Sequence, residues 1–391
     1  MENGNGHEHP KKVLIVEGHP KYFVSHRLPW ARAASEAGYE VHVTALKSGD
    51  GDLVRNEGFP YHHIAERDRG RNPISELGFL LKLYRLLRAL EPSLVHFITL
   101  RSVLYGILPA RFAGERPVLN SITGLGFLFT DDAWSVRLLR QGVLGILSYA
   151  LGRPNQLATF QNPDDAGVFI SQGVVAEERV TVTPGSGVDP ERFPYAEETS
   201  GDSGQDQIVM LPTRLLWEKG VEEFVGAAQR LCDCAVDAQF VIVGETDPEN
   251  PGAVPRAQLE AWNRNGPIEW WGCQDADEMP HVLRKASIVC LPSYREGVPK
   301  VLIEAASCGR PIVTTDVPGC REIVNHEDTG FLVPPEDAGE LARRIRQLLD
   351  DPDLRREMGR NGRARVEENF TAQQVAETIV EAYDRLLPRG P

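Results

Sequence analysis

This chain has no excess of positive charge, no C-x-x-C cysteine pair and no long apolar run. Its 391 residues carry 42 Lys and Arg against 56 Asp and Glu, a formal charge of −14. A chain this acidic is a poor general binder of nucleic acid, which calls for a basic surface. No apolar segment approaches the ~20 residues that span a bilayer. Residues 1–10 are polar and rich in His, Glu, Asn and Gly, so no signal peptide is expected. None of the six cysteines (Cys232, Cys234, Cys273, Cys290, Cys308 and Cys320) has C-x-x-C spacing, and several lie in apolar runs. Reduced thiols in a cytoplasmic protein are the expectation.

What is present is uneven. Residues 1–190 hold 20 basic and 20 acidic residues, whereas residues 191–391 hold 22 against 36. Apolar runs alternate with helical patterns throughout. Residues 12–16 read as a buried strand broken by Gly18 and Pro20, followed by a helix-like run to Gly38. A strand over 39–45, a helix over 74–90 and a strand over 93–98 come next, then apolar segments at 117–122, 156–160 and 179–183. The pattern restarts with a strand at 207–211 and a helix at 221–231. Strands follow at 239–243, 267–271, 287–291, 311–314 and 330–333, with helices at 279–285, 301–308, 338–349, 353–368 and 372–387. Strands alternating with helices imply α/β architecture built on parallel, doubly wound sheets. Two αβα domains are expected, at 1–190 and 207–370, joined by a polar linker at 191–206. A terminal helix in 371–391 returns towards the first domain. Ligands of such sheets bind beyond the carboxyl ends of the strands, so an interdomain cleft is the expected site.

Two carboxylates carry the sharpest chemical signal. Glu296 and Glu304 sit in Ser293-Tyr-Arg-Glu-Gly-Val-Pro-Lys-Val-Leu-Ile-Glu304. In one continuous helix they would stand roughly 12 Å apart along the axis and about 80° apart around it, too far to grip one small group. Gly297 and Pro299 place Glu296 in a strand-to-helix loop and Glu304 one to two turns into the helix. That suits a long anionic ligand with hydroxyl-rich ends, as a nucleotide sugar is. Arg214 and Lys219 flank another strand-to-helix loop, where backbone N–H groups and the helix dipole favour an anion. Two cations there would stabilise a departing diphosphate. Surface charge is the plainer reading of Arg214 and Lys219 taken alone.

Together these motifs resemble the family 4 retaining glycosyltransferases of GT-B fold. The resemblance is carried by Arg214…Lys219-Gly220, Val243-Gly244, Pro292-Ser293, Glu296-x₇-Glu304, Gly309-x-Pro311, Gly330-Phe-Leu-Val333 and Pro184-Gly-Ser-Gly-Val-Asp189. Within the family, Arg214-Leu-Leu-Trp-Glu-Lys-Gly220 and Leu291-Pro-Ser-Tyr-Arg-Glu-Gly297 are similar to transferases that extend undecaprenyl-diphosphate-linked sugars, with capsule and O-antigen enzymes near them. The resemblance implies that Arg214 and Lys219 hold the donor diphosphate, that Glu304 accepts from the ribose and that Glu296 faces the sugar. Gly297, Val298 and Pro299 would offer backbone contacts, with Gly244 and Gly18 also near the donor. Lys300, where many relatives carry a small residue, adds a third phosphate cation or faces solvent. His26 and Arg27 would face the acceptor, and Thr123 and Gly124 form an acceptor-side loop or a plain turn. His96 resembles a histidine near the reaction centre, with a hydrogen-bonded core histidine as the alternative.

The expected activity is therefore metal-independent, retaining transfer of a hexose or N-acetylhexosamine from a UDP-sugar to a lipid-linked or cell-surface glycan. No cofactor beyond that co-substrate is implied. A polyprenyl-diphosphate-linked acceptor and peripheral contact at the inner face of the plasma membrane are the expected partners. Helices with mixed Arg and apolar residues at 81–88 and 135–147 motivate the membrane contact. An epimerase of the same architecture and a non-catalytic binding subunit are the competing readings. Asp275-Ala-Asp277, a D-x-D triplet, is expected to cap the helix beginning near Glu278 rather than to hold a metal.

Overall fold

The computed structural model of this chain describes residues 10–47, 49–64, 73–125, 129, 133–196 and 207–387, with side chains from 77 onward in the third segment. The polar tail at 1–9, linker residues 197–206, and Gly126 and Phe127 of the 121–127 loop lie outside them. The chain divides into two compact units, Met1–Thr183 joined by Ala372–Pro391, and Pro184–Thr371.

Unit 1 is built on strands β1 (Lys12–Glu17), β2 (Glu40–Ala45), β3 (Tyr61–His62), β4 (Leu94–Ile98), β5 (Val118–Ile122), β6 (Gln156–Phe160) and β7 (Val180–Val182). They form one parallel sheet in the order β3-β2-β1-β4-β5-β6-β7. Helices cover both faces, so Val13, Leu14, Ile15 and Val16 are all fully buried and read as a continuous apolar run. The helices are α1 (Pro20–Tyr22), α2 (Leu28–Glu36), α3 (Gly51–Asn56), α4 (Pro73–Leu90), α5 (Leu100–Ala113), α6 (Trp134–Leu151) and α7 (Pro163–Ser171). Between α1 and α2 the segment Phe23–Arg27 is π-helical.

Unit 2 repeats the plan with β8 (Ile208–Pro212), β9 (Gln239–Val243), β10 (Ile268–Trp270), β11 (Ile288–Leu291), β12 (Ile312–Thr315) and β13 (Gly330–Val333). The order is β10-β9-β8-β11-β12-β13, again wholly parallel. Its helices are α8 (Val221–Asp233), α9 (Arg256–Asn265), α10 (Met279–Lys285), α11 (Lys300–Ser307), α12 (Pro318–Ile323), α13 (Ala338–Asp350) and α14 (Pro352–Asn369). Residues 184–190, read from sequence with the first domain, pack here. A Cβ on Gly185 would sit 2.8 Å from Val298 Cγ1, and Arg363 donates to the carbonyls of Pro190 and Phe193.

The last helix, α15 (Ala372–Leu386), belongs to unit 1. Its buried stripe of Val375, Ile379 and Tyr383 joins Trp30, Ala31 and Ala34 of α2 in one core. Tyr39 donates to Asp384 Oδ1 at 2.6 Å, and the Tyr383 hydroxyl shares a 2.7 Å hydrogen bond with His96 Nδ1. Truncating so large a buried ring while orphaning His96 is expected to cost about 3–5 kcal/mol. Urea unfolding of Tyr383→Ala, followed by tryptophan fluorescence, should show that loss in the transition of unit 1.

Candidate active site

In unit 2 the strand order reverses between β8 and β11, and the loops leaving their carboxyl ends are neighbours. The first carries Thr213 and Arg214, a 3₁₀ turn at Trp217–Lys219, and Gly220. The second runs from Pro292 to Pro299. Residues 77 positions apart in sequence thus come into contact: Lys219 Nζ lies 2.6 Å from Glu296 Oε1, with both side chains about nine-tenths buried. Ser293 Oγ donates to the same carboxylate oxygen at 2.8 Å, while Thr315 Oγ1 donates to the Ser293 carbonyl. The Tyr294 amide donates to the Glu218 carbonyl at 2.9 Å and locks the loops together. The Tyr294 hydroxyl donates to Glu223 Oε1 at 2.7 Å, and burial followed by this carboxylate raises the phenol's pKa.

Two glycines permit this closeness. Gly220 adopts φ +71°, and a Cβ there would fall 2.0 Å from the Pro292 carbonyl oxygen. Gly319, at the start of α12, approaches the other side: its Cβ would meet the Gly297 carbonyl oxygen at 1.7 Å. The Pro318-Gly319 dipeptide was the available signal for this support, and sequence reasoning passed over it. It also gave no role to Ser293, Tyr294 or Thr315, whose bonds shape the loop.

The carboxylate pair separates as its spacing suggests, each acid held by its own lysine. Lys300, the first residue of α11, places Nζ 2.9 Å from Glu304 Oε1 one turn later. A cation at a helix N-terminus opposes the helix dipole, so Lys300 adds positive potential where an anion is already favoured. Arg214 is exposed and, among the described residues, makes no ion pair or side-chain hydrogen bond. Gly244 follows β9, donating to the Gly272 carbonyl and accepting from Trp270 Nε1. Gly297, Val298 and Pro299 form the turn that leads into α11, with Pro299 at its cap.

Asp275-Ala-Asp277 behaves differently from expectation. The cap of α10 is Glu278, without a side-chain bond. Asp275 supplies only its carbonyl to that turn, and Asp277 pairs with Arg192 at 2.8 Å. Among the described residues, no group of three His, Cys, Asp or Glu is gathered as a metal site.

Unit 1 has a polar cavity of about 210 Å³ at its own reversal between β1 and β4, lined by Glu17, Gly18, His19, Tyr22, Lys47, Thr99 and Arg101, with Leu46. Gly18 therefore lies in a concavity. Arg27 turns inward: its Nε stands 3.3 Å from Glu17 Oε2, and the guanidinium covers the Trp30 ring at 4.2 Å. Glu17 Oε1 accepts from the Gly18 amide at 2.6 Å, so this ion pair braces the loop. His26 is half-buried and bonded to Ser25 Oγ at 2.6 Å. Thr123 and Gly124 follow β5 as half-buried loop residues. His96 is fully buried in mid-sheet, Nδ1 bonded to Tyr383 and Nε2 to Ser121 Oγ, each at 2.7 Å. The ring is stacked on Trp30.

Burial, with a smaller push from Arg27, lowers the His96 pKa from 6.5 to about 3 and keeps the ring neutral. Unfolded chains take up a proton below 6.5 that the folded unit refuses. The stability owed to this histidine is thus complete above pH 6.5 and lost as pH falls towards 3. Burial raises the pKa of Glu17, which acts in the opposite sense. Calorimetry of wild type beside His96→Gln isolates the histidine: the wild-type midpoint should fall more steeply between pH 7 and 5.

Comparison with known proteins agrees with this architecture. Residues 196–365 match the family described as glycosyl transferases group 1, and residues 12–162 match glycosyl transferase 4-like. The N,N'-diacetylbacillosaminyl-diphospho-undecaprenol alpha-1,3-N-acetylgalactosaminyltransferase of Campylobacter jejuni is 27% identical, over 92% of this chain and 95% of its own length. The UDP-Gal:alpha-D-GlcNAc-diphosphoundecaprenol alpha-1,3-galactosyltransferase of Escherichia coli is 25% identical, over 79% of this chain and 80% of its own. The crystal structure of Anabaena Alr3699/HepE in complex with UDP and glucose superposes with a TM-score of 0.76 at 18% identity, covering 96% of this chain and 100% of that one.

Proposed function

The two halves of this chain belong to the 4-like and group 1 glycosyl transferases, and on that premise we propose that it is a metal-independent, retaining enzyme. It moves a hexose or N-acetylhexosamine from a UDP-sugar to a polyprenyl-diphosphate-linked glycan at the cytoplasmic face of the membrane. The fold is GT-B, shared with HepE, whose structure contains UDP and glucose. Curated relatives are glycosyltransferases acting on diphosphoundecaprenol-linked sugars, which favours transfer over epimerisation or simple binding. Capsule, O-antigen, exopolysaccharide and N-glycan precursors are the matching acceptors.

The observation that carries the reading is the Lys219–Glu296 pair at the reversal of the unit 2 sheet. Burying a lysine and a glutamate together costs much of their hydration, and their attraction repays it only partly. An incoming diphosphate offers Lys219 a stronger partner, which releases Glu296 to accept hydrogen bonds from the sugar. Arg214, unpaired at the same loop, and Lys300 at the start of α11 supply further positive charge. Glu304 then accepts from the ribose. The bond from the anomeric carbon to the diphosphate breaks, and the acceptor oxygen joins that carbon from the same face. The acceptor's proton passes to the departing phosphate oxygen. His96, neutral and bonded at both nitrogens, ties β4 to β5 and to α15 within unit 1. Gly18 borders the donor, while His26, Arg27, Thr123 and Gly124 serve the acceptor side, Arg27 by bracing Glu17 and the Gly18 loop.

A UDP-release assay over several UDP-sugars, with and without lipid-diphosphate acceptors, tests the activity, and added EDTA should leave the rate unchanged. Lys219→Ala is expected to lower kcat by about 10²–10³-fold, the usual cost of losing one preorganised charge on a leaving group. Near-wild-type turnover would remove Lys219 from that role. Glu304→Ala should weaken UDP binding by about tenfold in calorimetric titration, with kcat less affected. Unchanged affinity would reassign the ribose.

A further inference from the structure

Unit 1 has a groove that the proposed donor chemistry leaves unused. It encloses about 710 Å³ and is lined by α4, α5 and α6, with Leu104, Tyr105 and Leu108 on one wall and Gly142, Gly145 and Ile146 on the other. Its volume falls in the roughly 300–1,000 Å³ range of small-molecule sites. Apart from tyrosine hydroxyls, every lining side chain is apolar or absent. Of the exposed large hydrophobic side chains among the described residues, nine lie on these three helices, against one (Tyr195) in all of unit 2. Such concentration marks a binding surface.

The groove has a direction. Helix α5 leaves the carboxyl end of β4, where Thr99 and Arg101 line the polar cavity beside Gly18. Arg101, Leu104, Tyr105 and Leu108 follow the i, i+3, i+4, i+7 spacing of a single helical face. A cationic start therefore runs into an apolar stripe. Helix α6 likewise begins with Arg137 and Arg140 and continues through Gly142, Gly145, Ile146 and Tyr149, and neither helix contains an acidic residue. A ligand matching both has an anionic head and a long hydrocarbon tail.

We propose that this groove seats the isoprenoid chain of the acceptor lipid, with its phosphate head towards Arg101. The inference rests on the acceptor class proposed above and adds where the lipid lies. Gly142 and Gly145 form an open wall, since a Cβ on either meets nothing within 4 Å. A leucine there would fill the groove, and replacing glycine inside a helix tends to strengthen it.

Binding of undecaprenyl phosphate and of geranyl phosphate to the full chain, in the same detergent micelles, tests this. Wild type should prefer the long chain by at least tenfold. Gly145→Leu should erase that preference while leaving geranyl phosphate and UDP binding unchanged and the melting midpoint no lower than wild type. Ile146→Asn, at a half-exposed position, should weaken only the long chain. A preference that survives both variants overturns the proposal. So does flotation on phosphatidylglycerol vesicles, free of polyprenol, that falls in Gly145→Leu as far as undecaprenyl phosphate binding does, because the face would then be a bilayer contact. Absence of UDP release from every donor would refute transfer, yet leave the chain-length preference to be read independently.

Discussion

Parallel strands cannot be joined by tight turns, and this constraint shapes both units. Every connection must cross over one face of the sheet, which delivers all the strand-to-helix loops to one edge. Where the strand order reverses, crossovers diverge to opposite faces and leave a gap between two loops. In unit 2 that gap separates the loops after β8 and β11 and brings Lys219 to Glu296. In unit 1 the same reversal opens the polar cavity beside Gly18. Gly220 and Gly319 then remove the side chains that would hold the unit 2 loops apart.

The electrostatics of unit 2 follow from that geometry. Most of the chain's negative charge is in its second half, an unpromising setting for an anionic co-substrate. Local arrangement offsets this. Lys219 and Lys300 are each held beside one carboxylate, and Glu340, on α13, is engaged by Arg343 and Arg344. The two lysines are kept partly dehydrated and close to their carboxylates. An anion displacing those contacts needs little rearrangement of the backbone, because Ser293, Thr315 and Tyr294 already fix the loop.

Much of this was legible in the sequence. Continuous apolar runs identified most strands, because both faces of each sheet are covered, and period-3.6 patterns identified the long amphipathic helices, because α13 and α15 each bury one clean stripe. Helix α9 escaped notice because only Leu259 is buried along it, and α12 is six residues long. At the candidate site, spacing separated Glu296 from Glu304 correctly, since Gly297 and Pro299 interrupt the helix between them. The lysine assigned to each acid was not legible. Lys300–Glu304 follows helical spacing, but Lys219–Glu296 depends on strand order, which local pattern does not encode. Arg27 and His96 show the same limit: a strand or helix position fixes a face, while the partners Glu17, Tyr383 and Ser121 come from elsewhere in the chain. The D-x-D triplet misled because Asp is a frequent cap, whereas here Arg192 competes for it.

The membership of α15 in unit 1 bears on how the protein is made. Unit 2 is a single uninterrupted stretch, Pro184–Thr371, and can close as soon as it leaves the ribosome. Unit 1 cannot, because Trp30 and His96 keep one side uncovered until Tyr383 is translated. At roughly 5–20 residues per second, that wait is on the order of ten to forty seconds. The unit begun first is therefore completed last, and translation halted between Thr371 and Tyr383 leaves one finished unit and one open core.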